Sequence, residues 1–295
     1  MTASEVMKMA RANKNDPNRA VIGPEGDSYN FAYRLENLTE TRIGENTIYS
    51  ADPLPKDCVI FGKARRCTVI IGHMKSGLFK IYVNGTDNVV YLGSTKKFQG
   101  KIAIEGERNL FFFGDQSTCN FAGFLVAGQD RSVIFGTDCM LSFQISIRNT
   151  DSHAIVSLES NSVTNPPESV LIHHHVWVGE GAKVLKGVTI EPGAIVAANA
   201  TVVANVPARS VAVGLPAKII EASKGKVSWT RNSNPTVQDI KDVADAVRTR
   251  GAMKSLIDTL TFKRRPSLDR LATDELDIEE FAELGAAIGS DHPDM

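Results

Sequence analysis

Histidine is the residue type in this sequence whose placement most directly suggests chemistry. His153 lies in the polar segment Asp151-Ser152-His153. An imidazole that titrates near neutral pH can act as a general base, removing the proton of a hydroxyl group as that hydroxyl attacks a carbonyl carbon. Elsewhere, three histidines are adjacent to one another at positions 173 to 175. The sequence therefore offers one candidate base and one candidate histidine cluster.

The three adjacent histidines allow two interpretations, a zinc site or surface side chains. Imidazole is a common zinc ligand. However, neighbouring side chains diverge along an extended chain, and no cysteine or carboxylate accompanies His173, His174 and His175 at a ligand spacing. The pattern favours surface or interface histidines, and we predict no metal site.

A six-residue repeat indicates the kind of fold that positions these residues. Branched residues stand six apart from residue 172 onward, and a second small or branched residue follows four positions after each of them. The two sets are Ile172, Val178, Val184, Ile190, Val196 and Val202, and Val176, Ala182, Val188, Ala194, Ala200 and Val206. Neither a helix face nor an alternating strand has this period. It predicts short strands wound into a solenoid in which each coil covers the one before it.

The same architecture continues upstream in a looser form. Four apolar triplets are each followed by a glycine, at Gly72, Gly93, Gly114 and Gly136. These glycines are 21, 21 and 22 residues apart. Three hexads make 18 residues, so the longer period predicts one coil with a few extra residues at a corner. Three of the triplets are preceded by what we predict to be turns that re-enter a strand, beginning at Gly85, Gly106 and Gly128.

A break in the register identifies a segment that leaves the solenoid. Ile147 and Ile172 are 25 residues apart, which is not a multiple of six. The polar segment 148–171 between them contains His153 and a Pro-Pro pair, and we predict that it is a projecting loop. The candidate base is therefore expected outside the core.

Helical periodicity appears only outside the solenoid. It predicts an N-terminal helix after Ser4 and three short amphipathic helices between residues 237 and 284. We therefore divide the chain into an N-terminal extension that is partly helical (1–57), a solenoid domain with its loop (58–222) and a C-terminal helical region (223–295).

Composition restricts the class of protein. The formal charge is -1, from 33 basic and 34 acidic residues, which argues against a nucleic-acid or membrane-surface protein. The four cysteines lie far apart among apolar residues and are predicted to be buried free thiols in a reducing compartment: Cys58, Cys67, Cys119 and Cys139. The sequence contains neither a secretory signal nor an apolar stretch of about 20 residues, so we expect a cytoplasmic protein with no membrane span.

The segment 170–220 resembles the closing coils of the left-handed β-helix acetyltransferases. Three features carry the resemblance: the hexads, the run His175-Val-Trp177-Val-Gly179, and the exit Gly214-Leu-Pro-Ala-Lys218. This hexapeptide-repeat family includes galactoside, maltose and capsular-polysaccharide O-acetyltransferases. The resemblance implies a mainly β, left-handed parallel β-helix with helical N- and C-terminal extensions. It also implies an acetyl-CoA-dependent O-acetyltransferase whose acceptor is a saccharide hydroxyl.

The resemblance also implies roles for particular residues. In the family a catalytic histidine precedes the coil tryptophan by some two dozen residues, and His153 precedes Trp177 by 24. His153 is thus predicted as the general base, with Asp151 a candidate to orient its ring. The acyl-CoA and acceptor site is predicted to include Trp177, which would lie against the acyl-CoA arm and help to shape the acceptor site. Ala198 is the small residue near pantetheine, and Lys218 lies near the CoA phosphates. The other two predicted residues are His175, which matches a common motif residue, and Glu180, which stands where some members have a serine.

This sequence departs from the family pattern beside the predicted donor site. Ala197-Ala198-Asn199 replaces the usual Gly-Ala-Gly, and Val203-Ala204 replaces a frequent Thr-Lys pair, so phosphate contacts are fewer or come from elsewhere. Three alternatives stay open: an N-acetyltransferase acting on a nucleotide-linked amino sugar, a zinc-dependent β-helix enzyme, and a non-catalytic scaffold. The resemblance further implies a homotrimer with CoA between adjacent subunits.

Overall fold

The computed structural model describes residues 38–249, with the backbone alone described for 245–249. The helix predicted after Ser4 and the helices predicted beyond residue 250 lie outside the described residues. Within the described range no helix is long and apolar enough to cross a bilayer.

Strands dominate the described chain. Up to the projecting segment they are β1 (Thr39–Ile43), β2 (Asn46–Ser50), β3 (Val59–Arg65), β4 (Thr68–Ile71), β5 (Gly77–Thr86), β6 (Val89–Leu92), β7 (Phe98–Ile104), β8 (Leu110–Phe113), β9 (Thr118–Val126), β10 (Ser132–Phe135), β11 (Met140–Leu141) and β12 (Ile145–Arg148). The rest are β13 (Val156–Ser157), β14 (Ser162–Val163), β15 (Val170–Ile172), β16 (Trp177–Val178), β17 (Lys183–Val184), β18 (Thr189–Ile190), β19 (Ile195–Val196), β20 (Thr201–Val202), β21 (Val211–Val213) and β22 (Lys218–Ile219). A 3₁₀ turn (Glu221–Ser223) and one helix, α1 (Val237–Thr249), follow.

The first face of the solenoid is a sheet with the strand order β1-β2-β4-β6-β8-β10-β15-β18. Every pair after β1-β2 is parallel and in register, as in the aligned column Val69, Val90, Phe111, Val133 and Val170. The predicted stacking of the apolar triplets is therefore confirmed. Parallel pairing begins at β2, within the segment that we assigned to the N-terminal extension.

The second sheet changes width along the solenoid. Upstream it consists of the long strands β3, β5, β7 and β9. On its far side β9 pairs with both β11 and β12, and these two short strands are continued separately by β16 and β17. A wide face of the upstream coils thus divides into two narrow faces, which produces the three short strands per coil of the hexad region.

The predicted core is confirmed residue by residue. All twelve hexad residues of the two predicted sets are at most 1% exposed. Upstream, larger side chains fill the wider coils, and Phe98, Phe111, Phe113, Phe124 and Phe135 contact one another with ring centroids 5.0 to 6.4 Å apart. The four free cysteines are buried in the same core, as predicted. Desolvation raises the pKa of the Cys139 thiol to about 12.

A ladder of asparagines satisfies the polar backbone at the upstream corners. Asn88 donates from Nδ2 to the carbonyl oxygens of Asn84 and Gly106, both at 2.9 Å, and its Oδ1 accepts from the N–H of Asn109 at 2.8 Å. The corner glycines lie so close that a Cβ on Gly85 would meet the carbonyl oxygen of Gly106 at 2.0 Å, and φ of Gly85 is +91°. Because only glycine fits this conformation and spacing, the corners stack directly.

The segment between β12 and β15 forms an antiparallel hairpin of β13 and β14, outside both solenoid sheets. The solenoid ends where β22 turns back antiparallel on β21. The first predicted C-terminal helix is observed as α1. Its start is capped reciprocally, since Oγ1 of Thr236 accepts from the N–H of Asp239 while Oδ2 of Asp239 accepts from the N–H of Thr236. The left-handed sense of the coil stays a prediction of the resemblance.

Candidate functional site

His153 lies just before the hairpin, and its side chain is exposed. Asn165, on the other arm of the hairpin, donates from Nδ2 to the carbonyl oxygen of His153 at 2.9 Å and to Oδ2 of Asp151 at 2.8 Å. Oδ1 of Asn165 accepts from the N–H of Ile155 at 2.6 Å. One amide side chain therefore fixes the backbone on both sides of the candidate base.

The residue before His153 holds an uncommon backbone conformation. Ser152 has φ of 66°, in the left-handed region, which costs a residue with a side chain roughly 1–2 kcal/mol. Its N–H donates to Oγ1 of Thr150 at 3.1 Å. Such conformations persist where the surroundings enforce them, and they cluster at functional sites.

A lysine from the next coil joins the hairpin base to the solenoid. Lys186 donates from Nζ to Oδ2 of Asp151 and, at 2.9 Å, to the carbonyl oxygen of Asn165. Hydrogen bonds from Lys186 and then from Asn165 lower the pKa of the Asp151 carboxyl below its ordinary value. Asp151 is thus an ionised carboxylate that binds Lys186 and Asn165, and it holds the segment that carries His153 rather than the imidazole ring.

Trp177 lies on the outward side of β16, between Met140 and Ile195 of the neighbouring coils. It is partly buried, and its Nε1 lies 3.5 Å from Oγ of Ser142. The indole therefore presents an apolar surface at the exterior of the solenoid, as a residue that contacts a ligand chain would need to do.

The prediction that the three adjacent histidines lie on the surface is wrong. His173, His174 and His175 are only 2%, 1% and 4% exposed. The chain that follows the solenoid returns across this corner, and the indole of Trp229 covers His175 with the ring centroids 4.3 Å apart and the planes 7° apart. Within residues 38–249 no group of three or more potential metal ligands is present.

His175 is bonded at both ring nitrogens. Nδ1 lies 2.7 Å from Oδ2 of Asp138, and Nε2 lies 2.9 Å from the carbonyl oxygen of Trp229. Both partners are oxygen acceptors, so either ring nitrogen can donate to the oxygen that faces it. Its predicted part in ligand binding stays a prediction, but its ring nitrogens are already engaged within the chain.

Asp138 lies between the imidazole of His175 and the guanidinium of Arg231. Its Oδ1 accepts from Nε and Nη2 of Arg231 at 3.2 and 3.1 Å. Arg231 also donates to Oγ1 of Thr118 at 2.7 Å and to the carbonyl oxygens of Gln116 and Cys139 at 3.3 and 3.0 Å. Asp138 is 4% exposed. The guanidinium of Arg231 and the imidazole of His175 thus surround a largely buried carboxylate, and hydrogen bonds to both sides of it offset its loss of hydration.

The remaining predicted site residues are exposed and spread over the outside of the coils. Glu180 and Ala198 lie in the same corner of successive coils, where the N–H of Asn199 donates to the carbonyl oxygen of Glu180 at 2.7 Å. Lys218 is exposed on β22. The backbone approach is close here, since a Cβ on Gly179 would meet the nitrogen of Ala198 at 2.6 Å. Lys218 is separated from Trp177 by the strands β19 and β21, so the predicted residues are exposed along successive coils rather than gathered at one point.

The sequence reasoning missed the residues that hold the candidate site in place. Asn165 and Lys186 belong to no recognisable sequence motif. Only the folded chain brings them into contact with His153 or Asp151. The signal for Trp229 was weak but present, because it is one of only two tryptophans and stands in a polar stretch. Such an isolated aromatic residue usually has an apolar surface to cover.

Comparison with known proteins supports the resemblance that the repeats carry. The chain is 30% identical over 129 residues to a polysialic acid O-acetyltransferase of Neisseria meningitidis, covering 37% of this chain and 60% of that protein. It is 31% identical over 143 residues to a polysialic acid O-acetyltransferase of Escherichia coli O1:K1, covering 48% of this chain and 45% of that protein. The matches thus span roughly half of these relatives. No protein-family model matches the sequence.

The fold also has a counterpart among solved structures. The polysialic acid O-acetyltransferase OatWY superposes with a TM-score of 0.50 at 21% sequence identity, over 68% of this chain and 95% of that one. At this identity the likeness concerns the fold. Together with the stacked hexads and the sequence matches, it confirms that this chain is a parallel β-solenoid similar to the hexapeptide-repeat O-acetyltransferases.

Proposed function

We propose that the protein is an acetyl-CoA-dependent O-acetyltransferase that transfers an acetyl group to a hydroxyl of a saccharide. The observation that carries the proposal is the exposed imidazole of His153, on a segment that leaves the solenoid and is fixed by Asn165. The relatives with matching sequence are named polysialic acid O-acetyltransferases. We therefore propose an acidic, polymeric sugar as the first acceptor to test.

In the proposed reaction His153 removes the proton of the acceptor hydroxyl as its oxygen attacks the thioester carbonyl of acetyl-CoA. The new C–O bond gives a tetrahedral intermediate. Its collapse breaks the C–S bond, and the imidazolium returns the proton to the departing sulfur of CoA. Asp151, already paired with Lys186 and Asn165, keeps the base in place without taking its proton.

Trp177 and the exposed residues along the successive coils would bind the donor. The indole offers an apolar face to the acyl-CoA arm, Ala198 leaves its backbone open to the pantetheine chain, and the cationic Lys218 suits the phosphates. Glu180 lies in the corner beside them. Because Glu180, Ala198 and Lys218 are exposed in residues 38–249, we propose that the site is completed between subunits of a homotrimer.

The direct test is acetyl transfer by the full chain to a panel of acceptors: polysialic acid, a neutral polysaccharide and a nucleotide-linked amino sugar. Released CoA is followed with a thiol reagent, a measurement to which the four buried cysteines of the protein contribute little. We expect turnover with a polysaccharide and a product that loses its acetyl group in mild base, as an ester does.

Three results would contradict the proposal. A base-stable product formed only on the amino sugar would assign N-acetylation instead. Failure of purified protein to bind acetyl-CoA would favour a non-catalytic solenoid, and metal-dependent activity without acetyl-CoA would favour the zinc enzyme.

Asn165→Ala should lower kcat roughly tenfold, because the backbone of His153 loses its tie to the opposite arm of the hairpin and the base is misplaced. Steady-state kinetics and a thermal melt measure the effect. Ser160→Ala is the matched control, since Oγ of Ser160 bonds only Oγ of Ser162 at 2.8 Å near the hairpin tip. Equal kinetics for both variants would argue against the positioning role of Asn165.

A further inference from the structure

The chain that leaves the solenoid does not depart from it. Residues 221–232, here called the strap, run back along one corner of the coils. Oγ of Ser223 accepts from the N–H of Val211 at 3.0 Å, and the N–H of Val227 donates to the carbonyl oxygen of Arg209 at 3.2 Å. The strap continues past His175 to Arg231, which reaches the carbonyl oxygen of Gln116.

The corner beneath the strap is a column of left-handed residues. It consists of Gln116, Asp138, His175, Gly193 and Arg209, with φ of 62°, 58°, 53°, 70° and 53°. The strap donates hydrogen bonds to the backbone carbonyl oxygens of Gln116, His175 and Arg209. It also binds the carboxylate of Asp138 through Arg231.

Trp229 is the centre of this contact. It is 5% exposed, and its Nε1 donates to the carbonyl oxygen of His175 at 2.8 Å while its own carbonyl oxygen faces Nε2 of the same histidine. Arg231 lies 5.4 Å from the indole centroid, within cation–π distance. With a histidine ring on its face and these hydrogen bonds, the indole has little freedom to move.

The same indole contacts Trp177. The two ring systems lie 6.3 Å apart, centroid to centroid, at 51°. Trp229 is too buried to offer a surface to a ligand, whereas Trp177 is only partly buried. The contact with Trp177 is therefore a route by which Trp229 can act on a bound ligand without touching it.

We propose that Trp229 is a positioning residue that fixes the indole of Trp177 against the acyl-CoA arm, so that Trp229, rather than the strap as a whole, contributes to the donor site. The inference rests on the proposed function for the role of Trp177. His153 acts on the acceptor hydroxyl, so loss of Trp229 should change donor binding and leave the chemical step unaffected.

The test compares Trp229→Ala and Trp229→Phe with wild type. We expect the alanine variant to raise KM for acetyl-CoA, and Kd for CoA alone by calorimetry, about fivefold to tenfold, the amount that corresponds to one aromatic contact. The kcat at saturating donor and acceptor should stay within about twofold, since chemistry at His153 is untouched. Phenylalanine should restore most of the donor affinity.

Ser223→Ala is the matched control, because it removes the strap's hydrogen bond with the N–H of Val211 and leaves the contact between Trp229 and Trp177 in place. It should lower the melting temperature slightly and leave KM for acetyl-CoA unchanged. If Trp229→Ala also lowers only the melting temperature, the strap is structural and the inference is wrong. A fall in kcat with constant KM would equally overturn it.

The two proposals fail in distinguishable ways. The chain has two tryptophans, so Trp229→Phe leaves Trp177 as the sole indole fluorophore, and CoA alone can be titrated against its emission. If wild type binds CoA but transfers no acetyl group, the proposed function fails while the Kd comparison still decides the role of Trp229. If CoA changes neither the emission nor the heat of mixing, both proposals fail.

Discussion

Substitution of His153 by alanine is expected to lower kcat/KM by roughly 10²- to 10⁴-fold, the usual contribution of a positioned general base. The protein should fold normally, because the side chain is exposed and its backbone contact with Asn165 does not need the imidazole. Kd for CoA should be unchanged, since the base acts on the acceptor. Steady-state rates with acetyl-CoA and the best acceptor measure the loss.

His73→Ala is the matched control for this experiment. His73 is also an exposed histidine, with its Nδ1 2.9 Å from Oδ1 of Asp52 on an early coil. A surface pair of this kind contributes about 1 kcal/mol or less to stability and none to catalysis. Full activity in His153→Ala, or an equal loss in both variants, would show that His153 is not the base.

Asp138→Asn is expected to cause the largest loss of stability. The substitution removes the negative charge between His175 and Arg231 and leaves the guanidinium of Arg231 facing a neutral amide in a largely buried corner. Removing one member of such a group costs about 3 kcal/mol of unfolding free energy, the lower end of the usual range because Arg231 is partly exposed. For a domain of this size, that lowers the melting temperature by roughly 6–12 °C.

The chain offers a close control for the charge effect. Asp87 is a corner residue with φ of 56°, nearly the 58° of Asp138, and it pairs with Arg66. That pair is exposed, so Asp87→Asn should cost about 1 kcal/mol or less. Denaturant unfolding of both variants measures the difference. Similar losses would mean that burial of the Asp138 network contributes nothing beyond the backbone turn.

The solenoid could be predicted because stacking of equivalent core residues produces a repeat in the sequence. Residues such as Val178 and Val196 must stack on one another, so the same kind of side chain recurs at a fixed interval. The segment that contains His153 was identified by the same rule, because its length does not fit the six-residue repeat. Both depend only on contacts between neighbouring coils, which are close in sequence.

The parts of the site that escaped prediction depend on contacts between distant positions. Trp229 covers a histidine 54 residues earlier, and Asn165 acts through single hydrogen bonds that leave no periodic trace. The adjacent histidines were assigned to the surface because the alternation rule assumes an open outer face. The strap returns over that face and buries His175. No pattern in the sequence near His175 indicates this contact.

The strap also affects whether the coils of the solenoid fold and unfold one at a time or as a unit. Coil contacts join residues about 20 positions apart, so the solenoid can build up one coil at a time and lose coils one at a time. Arg231 contacts Gln116 across 115 residues and bridges the coils between them. We expect this contact to form late in folding, because the two residues are far apart in the sequence. Once formed, it should make the coils between them unfold as one unit.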